Sequence, residues 1–226
     1  MEDKRQVEAL EKMKRLLQSK KPATRRFFID ARHYAACVPE MLKVCYKAEV
    51  EQRGRVYKED AATAEHLRLA SAWLVDRRRD RKPGLFLYGE PGNGKTTMAN
   101  AMRTLVDMLY GNEDKYDDCK GVVSVSALEL AAIAKGESKD RTLNSLKTTE
   151  LLHIDDVGTE PASLKVWGNE VSPLTEILYA RYDAMLYTVV TSNLSEEDIR
   201  PRYGNRIEDR LRELFDFISF DNDSYR

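Results

Sequence analysis

Nine consecutive residues in the middle of the chain have the residue types and spacing of a phosphate-binding loop. They are Gly89, Glu90, Pro91, Gly92, Asn93, Gly94, Lys95, Thr96 and Thr97, and the first eight fit the pattern G-x-x-x-x-G-K-[ST]. The glycines let consecutive backbone N–H groups converge on phosphate oxygens at the start of a helix. Lys95 would place its ammonium on the β- and γ-phosphates, and the Thr96 hydroxyl would bind Mg²⁺. The stretch therefore predicts a nucleoside-triphosphate site.

The residues on either side of this loop provide the structural context that the motif requires. Leu85 to Tyr88, directly before it, is an apolar and aromatic run typical of a buried strand. After the loop, apolar residues recur at helical spacing and predict the buried face of a helix. These residues are Met98, Ala101, Met102, Leu105, Met108 and Leu109. Strand, loop and helix thus follow in the order that a phosphate-binding loop needs.

Polar residues that could complete the site follow two further apolar runs. Leu151 to Ile154 predicts a strand that ends in Asp155 and Asp156. Asp155 would hold Mg²⁺ through its water shell, and Asp156 would orient or polarise the attacking water. A fourth strand, at 187–191, leads to Asn193, whose amide could hydrogen-bond the γ-phosphate or the water. His153 alternates to the other face of its strand, so we expect it to be packed rather than catalytic.

Length and composition indicate one core with a small appendage. The chain has 226 residues, of which 42% are hydrophobic and 33% are charged. No apolar run reaches the length of a membrane span, the first residues lack a signal peptide's apolar segment, and the three cysteines form no paired pattern. These features predict a reduced, cytoplasmic protein without a membrane partner.

Charge is divided unevenly along the chain. The first 82 residues carry an excess of Lys and Arg, and the remainder carries an excess of Asp and Glu. The basic part could meet an anionic or acidic partner, or could simply be a solvated helical surface. The run Arg25-Arg26-Phe27-Phe28 leaves a similar choice, between stacking on bases and packing in the core.

The remaining patterns predict an alternation of helices and strands, with a domain boundary near Gly54. Residues 1–54 would be a basic, helical, partner-binding segment, and residues 55–226 a nucleotide-binding domain. The predicted helices cover 2–21, 39–52, 58–75 and 127–134, with others starting at Ser172-Pro173, Ser195 and Arg206. Gly111 to Lys120 is predicted as a loop, and 121–125 and 217–220 as strands.

Five motifs, in this order, resemble the DnaC/IstB branch of AAA+ ATPases, which contains bacterial helicase loaders and the ATPase subunits of insertion elements. The resemblance covers Lys58 to Arg226. The motifs are the loop Gly89 to Thr96, the pair Asp155-Asp156, the run Thr191 to Leu194, the segment Gly204-x-Arg206-x-x-x-Arg210-x-Arg212, and Ser224-Tyr225-Arg226.

This resemblance implies a fold and several roles. The fold would be a three-layer α/β P-loop NTPase with an AAA+ core, no C-terminal lid and a short helical N-terminal segment. Its five parallel strands, numbered along the chain, would be ordered 5-1-4-3-2. Asn193 would be the sensor residue, and Arg210 the arginine finger that reaches a neighbouring subunit's γ-phosphate, with Arg206 as the second candidate. Asp156 stands where many AAA+ proteins have Glu, which implies slow hydrolysis.

The leading hypothesis is an ATP-dependent DNA-transaction ATPase that assembles head-to-tail and binds ATP and Mg²⁺ between subunits. It would load a replicative helicase or bind single-stranded DNA. ATP is favoured over GTP because no N-K-x-D motif is present. One alternative is an ATP-switched adaptor that recruits a transposase, and another is a small-molecule kinase. A kinase needs an arginine-rich lid, and Asp155, Asp156 and Asn193 suit attack by water better.

Overall fold

Five parallel strands form the centre of the protein in a computed structural model. The structure describes residues 10–15, 27, 29–30, 34, 36–78, 80–110, 121–138, 140–166 and 169–226, without the side chains of Val166, Asn169 and Arg206. The central strands are β1 (Gly84–Gly89), β2 (Val123–Ser126), β3 (Leu151–Val157), β6 (Tyr187–Ser192) and β7 (Phe215–Phe220). Their spatial order is β2-β3-β6-β1-β7, and every neighbouring pair is parallel. This confirms the order 5-1-4-3-2 expected for the five central strands.

Two further strands form a small antiparallel hairpin that the sequence did not predict. They are β4 (Leu164–Val166) and β5 (Asn169–Val171), and they lie between β3 and the next helix along the chain. Each strand has only three residues, too few for an alternating hydrophobic pattern to be recognised.

Helices cover both faces of the sheet. Bounds of the described helices are α1 (Val38–Gln52), α2 (Ala61–Val75), α3 (Lys95–Tyr110), α4 (Ala127–Ala134), α5 (Leu143–Thr148), α6 (Pro173–Ala184), α7 (Glu196–Tyr203) and α8 (Asn205–Leu214). One core cluster joins α1, α2 and α3 to one face of the sheet, and a second joins α4, α6 and α8 to the other. The result is the predicted three-layer arrangement.

Helix α2 begins three residues later than the pattern predicted. Asp60, at its N-cap, accepts a hydrogen bond from the backbone N–H of Thr63 over 2.7 Å. Such a cap satisfies a donor that the first helical turn leaves free, so it sets the start at Ala61 rather than Lys58. Ser172 also occupies an N-cap position, but its side chain makes no capping hydrogen bond and instead lies 2.7 Å from the hydroxyl of Thr175.

The packing extends the folded core past the boundary predicted near Gly54. In helix α1, Leu42 and Tyr46 are buried in the same cluster as Leu85 of β1. Phe27 also packs here, with its ring centroid 5.3 Å from that of Tyr110 and 5.4 Å from that of Tyr187. Of the two roles considered for Phe27, stacking on bases or packing in the core, the structure shows core packing.

Two other sequence expectations are revised or lie outside the described residues. Met108, predicted on the buried face of α3, is 69% exposed and lies beyond the edge of the packed face, which continues through the partly buried Leu109. Residues 10–15 are helical, but the rest of the helix predicted at 2–21 and the loop predicted at 111–120 lie outside the described residues.

Arg181 of α6 is fully buried and, among the described residues, forms no ion pair with a carboxylate, which the sequence pattern did not indicate. Its guanidinium donates hydrogen bonds to four backbone carbonyls, those of Leu146, Thr149, Glu150 and Tyr187, and to the hydroxyl of Thr188. Burial lowers its pKa to about 9. Because these carbonyls come from the end of α5 and the starts of β3 and β6, the side chain joins three elements at the edge opposite the phosphate-binding loop.

Candidate functional site

The predicted site residues meet at the carboxyl edge of the sheet, beside a cavity of about 790 Å³. Parallel strands β1, β3 and β6 are neighbours, so the loops that follow them emerge side by side at this edge. Lys95 and Thr96 follow β1, Asp155 and Asp156 lie near the end of β3, and Asn193 follows β6; all five line the cavity. The lining also contains Pro91 to Gly94 and Thr97.

The loop from Gly89 to Gly94 owes its close packing to its glycines. Gly89, Gly92 and Gly94 have φ angles of 138°, 91° and 104°, which L side chains rarely adopt. A Cβ atom at Gly94 would stand 2.7 Å from the hydroxyl oxygen of Tyr46, and one at Gly89 would meet the carbonyl of Phe220. The spacing of glycines in the motif therefore reflects both backbone conformation and contacts from distant parts of the chain.

Lys95 is folded back onto the loop that precedes it. Its ammonium donates to the carbonyls of Gly89 and Glu90 over 2.6 and 2.8 Å and to the Asn93 side-chain oxygen over 3.1 Å. Gly89 and Glu90 thus contribute through their carbonyls rather than by lining the cavity. Burial lowers the pKa of Lys95 to about 8, and nearby Asp156 opposes this shift. An anion in the cavity would favour the charged ammonium.

Asp155 receives two hydroxyl groups from neighbouring elements. Thr96, at the start of α3, donates to Asp155 Oδ1 over 3.0 Å, and Thr191 of β6 donates to the same oxygen. Thr191 is fully buried and also accepts a hydrogen bond from the backbone N–H of Asp156 over 2.9 Å. Thr191 was not among the predicted site residues. The signal that could have found it is its position two residues before Asn193 on the same strand.

Asp156 has a backbone conformation unusual for a residue with a side chain. Its φ angle is 56°, in the left-handed region, and strain of this kind is concentrated at functional sites. Partial burial raises its pKa, and the negative charge of Asp155 adds to the effect. Both effects favour a carboxylate that accepts a proton readily.

His153 is packed, as its position on the strand predicted. Its side chain is almost completely buried, and Nδ1 lies 3.1 Å from the hydroxyl of Ser124. Burial lowers its pKa to about 4, although Asp155 lies 3.7 Å from Nε2. The neutral ring therefore supports the acidic strand without contributing a charge.

The two arginines proposed as fingers lie on α8, and the structure describes the side chain of only one. Arg210 is exposed, donates to Glu213 over 3.0 Å, and has its guanidinium 4.8 Å from the centre of the Tyr182 ring. It does not line the cavity that holds Lys95. Arg206 lies within helix α8, but its side chain is outside the described part of the chain.

The rest of the cavity lining comes from segments that sequence reasoning did not assign to the site. Tyr46 and Val50 of α1, with Val56 and Tyr57 of the following connection, provide aromatic and apolar surface. The remaining lining residues are Arg53, Arg55, Lys58, Thr63, Ser224, Tyr225 and Arg226. These segments lie far from the loop in the chain, before β1 and after β7, so no local pattern could have joined them.

The oxygen atoms of Thr96 and Asp155 fit the requirements of Mg²⁺. This ion prefers oxygen ligands and keeps several waters, so one carboxylate and one hydroxyl suffice beside the phosphates. Thr96 Oγ1 and Asp155 Oδ1 already lie 3.0 Å apart on one side of the cavity.

Comparison with known proteins finds this fold in solved structures of helicase loaders and a partial sequence match to one curated loader. No family model matches the chain. Over 120 residues the chain is 29% identical to the replicative helicase loader DnaI of Bacillus subtilis (strain 168); the match takes in 53% of this chain and only 36% of that protein. The chain thus spans little more than a third of the length of this curated relative.

Solved structures of two loaders and a related protein share the fold. The DnaC helicase loader superposes with a TM-score of 0.54 at 20% identity, covering 72% of this chain and 92% of that one. The corresponding values are 0.53, 22%, 76% and 88% for DnaI, and 0.55, 22%, 74% and 84% for a putative primosome component from Streptococcus pyogenes serotype M3. The predicted resemblance to the DnaC and DnaI loaders is confirmed, and the resemblance to insertion-element ATPases stays a prediction.

Among the described residues, no helix combines the length and apolarity needed to cross a bilayer.

Proposed function

We propose that this chain binds ATP with Mg²⁺ and hydrolyses the ATP as an AAA+ ATPase of the helicase-loader type. The observation that carries the proposal is the meeting of Lys95, Thr96, Asp155, Asp156 and Asn193 around one cavity. They supply a cation for phosphates, oxygen ligands for a metal, and an acid and an amide for a water molecule. Transfer of a phosphoryl group to water needs this set of groups in one place.

Binding of the triphosphate would begin with the loop and Lys95. The ammonium of Lys95 would exchange the carbonyls of Gly89 and Glu90 for phosphate oxygens, which restore the charge that burial disfavours. Mg²⁺, when bound, would neutralise part of the phosphate charge. Thr96 and Asp155 would hold that ion, and the Thr191 hydroxyl would keep the Asp155 carboxylate in place.

Hydrolysis would depend on Asp156 and Asn193. Burial and the Asp155 charge raise the pKa of Asp156, so its carboxylate accepts a proton readily. Asn193 lines the same cavity from the end of the neighbouring strand. Together they would orient a water molecule toward the terminal phosphate.

A purine base would pack against the aromatic and apolar part of the cavity lining. Tyr46, Val50, Val56 and Tyr57 offer the apolar and aromatic surface that a flat base needs. The absence of an N-K-x-D motif from the sequence favours adenine over guanine. ATP is therefore the proposed nucleotide.

A replicative helicase is the proposed protein partner, with single-stranded DNA as a second ligand. The likeness to DnaI and the shared fold of DnaC support a loader over an adaptor that recruits a transposase. The exposed position of Arg210, away from its own cavity, suits a role in the site of the next subunit of a head-to-tail assembly. The basic N-terminal segment is the proposed contact with the helicase.

The ATP site is tested with Lys95→Ala and a matched lysine variant. Lys135 is exposed after the end of α4 and does not line the cavity, so Lys135→Ala controls for loss of one positive charge. We expect Lys95→Ala to weaken binding of a fluorescent ATP analogue by at least about 100-fold and to abolish phosphate release. Phosphate release at the wild-type rate from Lys95→Ala would refute the ATPase assignment. Formation of ADP that requires an added acceptor and releases no free phosphate would favour the kinase.

The partner is tested by affinity capture from the native host, with identification by mass spectrometry. Deleting residues 1–54 would remove Leu42 and Tyr46 from the core, so the better truncation removes only residues 1–26. We expect the full chain to capture a replicative helicase and the truncated chain to lose it while retaining ATP binding. Capture of a transposase instead would favour the adaptor.

A further inference from the structure

Glu160 is a buried carboxylate for which the proposed hydrolysis has no use. It lies in the turn that follows β3, and only 4% of its surface is exposed. Its Oε2 accepts a hydrogen bond from the backbone N–H of Gly158 over 2.8 Å, and its Oε1 accepts one from the hydroxyl of Tyr203. Among the described residues it forms no ion pair. Because burial of a charge costs free energy, a carboxylate at this position points to a role in fixing a specific contact.

The turn that carries Glu160 is tied directly to the end of the acidic strand. The carbonyl of Asp156 accepts hydrogen bonds from the backbone N–H of Thr159 over 3.2 Å and from its hydroxyl over 2.7 Å. Gly158 has a φ angle of 104°, and a Cβ atom there would stand 2.7 Å from a methyl carbon of Leu194. The turn is therefore held close both to Asp156 and to the segment between β6 and α7.

On its other side, Glu160 contacts the last turn of helix α7. The Tyr203 hydroxyl donates to its carboxylate, and the guanidinium of Arg202 donates to its backbone carbonyl. The same guanidinium lies 5.5 Å from the centre of the Tyr203 ring. Burial and the contact with Glu160 raise the pKa of the Tyr203 hydroxyl, so the hydroxyl keeps its proton and remains a donor.

Helix α7 is joined closely to α8, the helix that carries Arg210. Only Gly204 stands between the two helices, and Ile199 of α7 lies in the same buried cluster as Ile207 of α8. Apolar packing has no preferred direction and allows packed helices to slide, whereas hydrogen bonds fix a distance and an angle. The contacts of Glu160 are thus a directional link between this helix pair and the turn after β3.

We propose that Glu160 and Tyr203 are positioning residues that fix α7 and α8 to the end of β3, so that the acidic strand of each subunit sets the place of the Arg210 it offers to its neighbour. The inference rests on the proposed function, in which Arg210 acts in the next subunit's site. Neither positioning residue lines the cavity of its own subunit. Loss of their contact should therefore appear in the neighbour's site, which a role in folding alone would not produce.

The test places Tyr203→Phe in either partner of a mixture of Lys95→Ala and Arg210→Ala. Lys95→Ala offers the arginine without a working site, and Arg210→Ala offers the site without the arginine. Added to Lys95→Ala, Tyr203→Phe should lower the phosphate release of the mixture by about tenfold, because the displaced helix is the one that supplies the arginine. Added to Arg210→Ala, it should leave the release within about twofold of the parent mixture, because the site itself is intact.

Tyr179→Phe, placed in the same partners, is the matched control. Tyr179 is partly buried against the same core cluster as Tyr203, and its hydroxyl makes no hydrogen bond within the described part of the chain. This variant should match the parent mixture in both arrangements. Fluorescent ATP analogue should bind the single variant Tyr203→Phe within about twofold of the wild-type affinity, so that the loss lies in turnover rather than in binding.

Glu160→Gln is a second variant of the same contact, because its side chain keeps the shape of Glu160 but loses the charge. Placed in the Lys95→Ala partner, it should lower phosphate release in the same direction as Tyr203→Phe. Combining Glu160→Gln with Tyr203→Phe should cost no more than the larger of the two single losses, because both changes break one contact. Losses that multiply would show that the two residues act separately, which would overturn the proposal.

The remaining outcomes separate this inference from the proposed function. Loss of release in both arrangements of Tyr203→Phe, or in neither, overturns the positioning role and leaves the role of Arg210 standing. If the parent mixture of Lys95→Ala and Arg210→Ala restores no release, Arg210 acts in no neighbouring site, and the inference fails together with that assignment. The nucleotide site stands even then, provided that the wild type binds ATP and Lys95→Ala does not.

Discussion

The Thr191 hydroxyl donates a hydrogen bond to Asp155 Oδ1 and thereby ties the strand that precedes Asn193 to the strand that carries the acidic pair. The same hydroxyl accepts from the backbone N–H of Asp156, which has a left-handed φ angle. A single buried side chain thus orients one acid and holds the strained backbone of the other. Through this side chain the acidic pair of β3 is held in place by the strand that leads to Asn193.

Replacement of Thr191 by valine tests this link. Valine keeps the shape but removes both hydrogen bonds, so Asp155 should lose its fixed orientation. We expect Mg²⁺-dependent turnover to fall by about tenfold while ATP affinity changes by less than about twofold. Steady-state phosphate release and nucleotide titration give the two numbers.

Thr188→Val is the matched control, because Thr188 is a buried threonine of the same strand that bonds Arg181 instead of the acids. It should reduce the free energy of unfolding by about 1 to 2 kcal/mol without a selective effect on turnover. Wild-type turnover by Thr191→Val would show that Asp155 needs no such support.

The proposed composite site predicts complementation between two inactive variants. Arg210→Ala should bind ATP normally but hydrolyse it poorly, because the arginine would act in the neighbouring subunit's site. Lys95→Ala should bind no ATP yet still offer its Arg210. Mixing the two variants should restore part of the phosphate release, at interfaces that pair an intact loop with an intact arginine. A mixture no more active than its components would remove the basis for Arg210 as a finger.

Arg181 should be a major determinant of stability rather than of activity. Arg181→Met would leave four buried carbonyl groups without their donor, so we expect the free energy of unfolding to fall by at least about 3 kcal/mol. Urea denaturation measures the change. Arg212→Met removes an exposed arginine paired with Glu208 and should cost less than about 0.5 kcal/mol. Equal effects of the two variants would contradict the role of Arg181.

His153 should make the protein less stable in mild acid. Burial depresses its pKa to about 4, so the unfolded chain takes up the proton first. The stability it contributes is present above pH 6.5 and is lost as the pH falls from 6.5 toward 4, with a slope of at most about 1.4 kcal/mol per pH unit. Urea denaturation at several pH values measures the slope.

His153→Leu should flatten this pH dependence relative to the wild type. His66→Leu serves as the comparison, because burial also lowers the pKa of His66, and the slope due to His153 should persist in it. An unchanged slope in His153→Leu would mean that other groups carry the acid sensitivity.

The elements of the site could be predicted because each is a local pattern. The glycines within Gly89 to Thr97 indicate the backbone conformation that the loop needs. The acids after Ile154 and the amide after β6 stand at the ends of apolar runs, which form strands. The start of α2 was missed because it depends on a single N-cap residue. The exposure of Met108 was missed because it depends on where the packed face of α3 ends. The small hairpin at 164–171 is too short for periodicity to reveal.

The sequence by itself determined that a triphosphate-binding loop stands between a strand and a helix, with two acids and an amide on later strands. Those features depend on residues close together in the chain, whose backbone preferences act locally. Only the tertiary structure decided which distant residues complete the cavity. Tyr46 and Arg226 line the cavity from opposite sides of the loop in the sequence, and Thr191 holds Asp155 beside it. They meet because parallel strand order and core packing, not local spacing, bring their segments to one edge of the sheet.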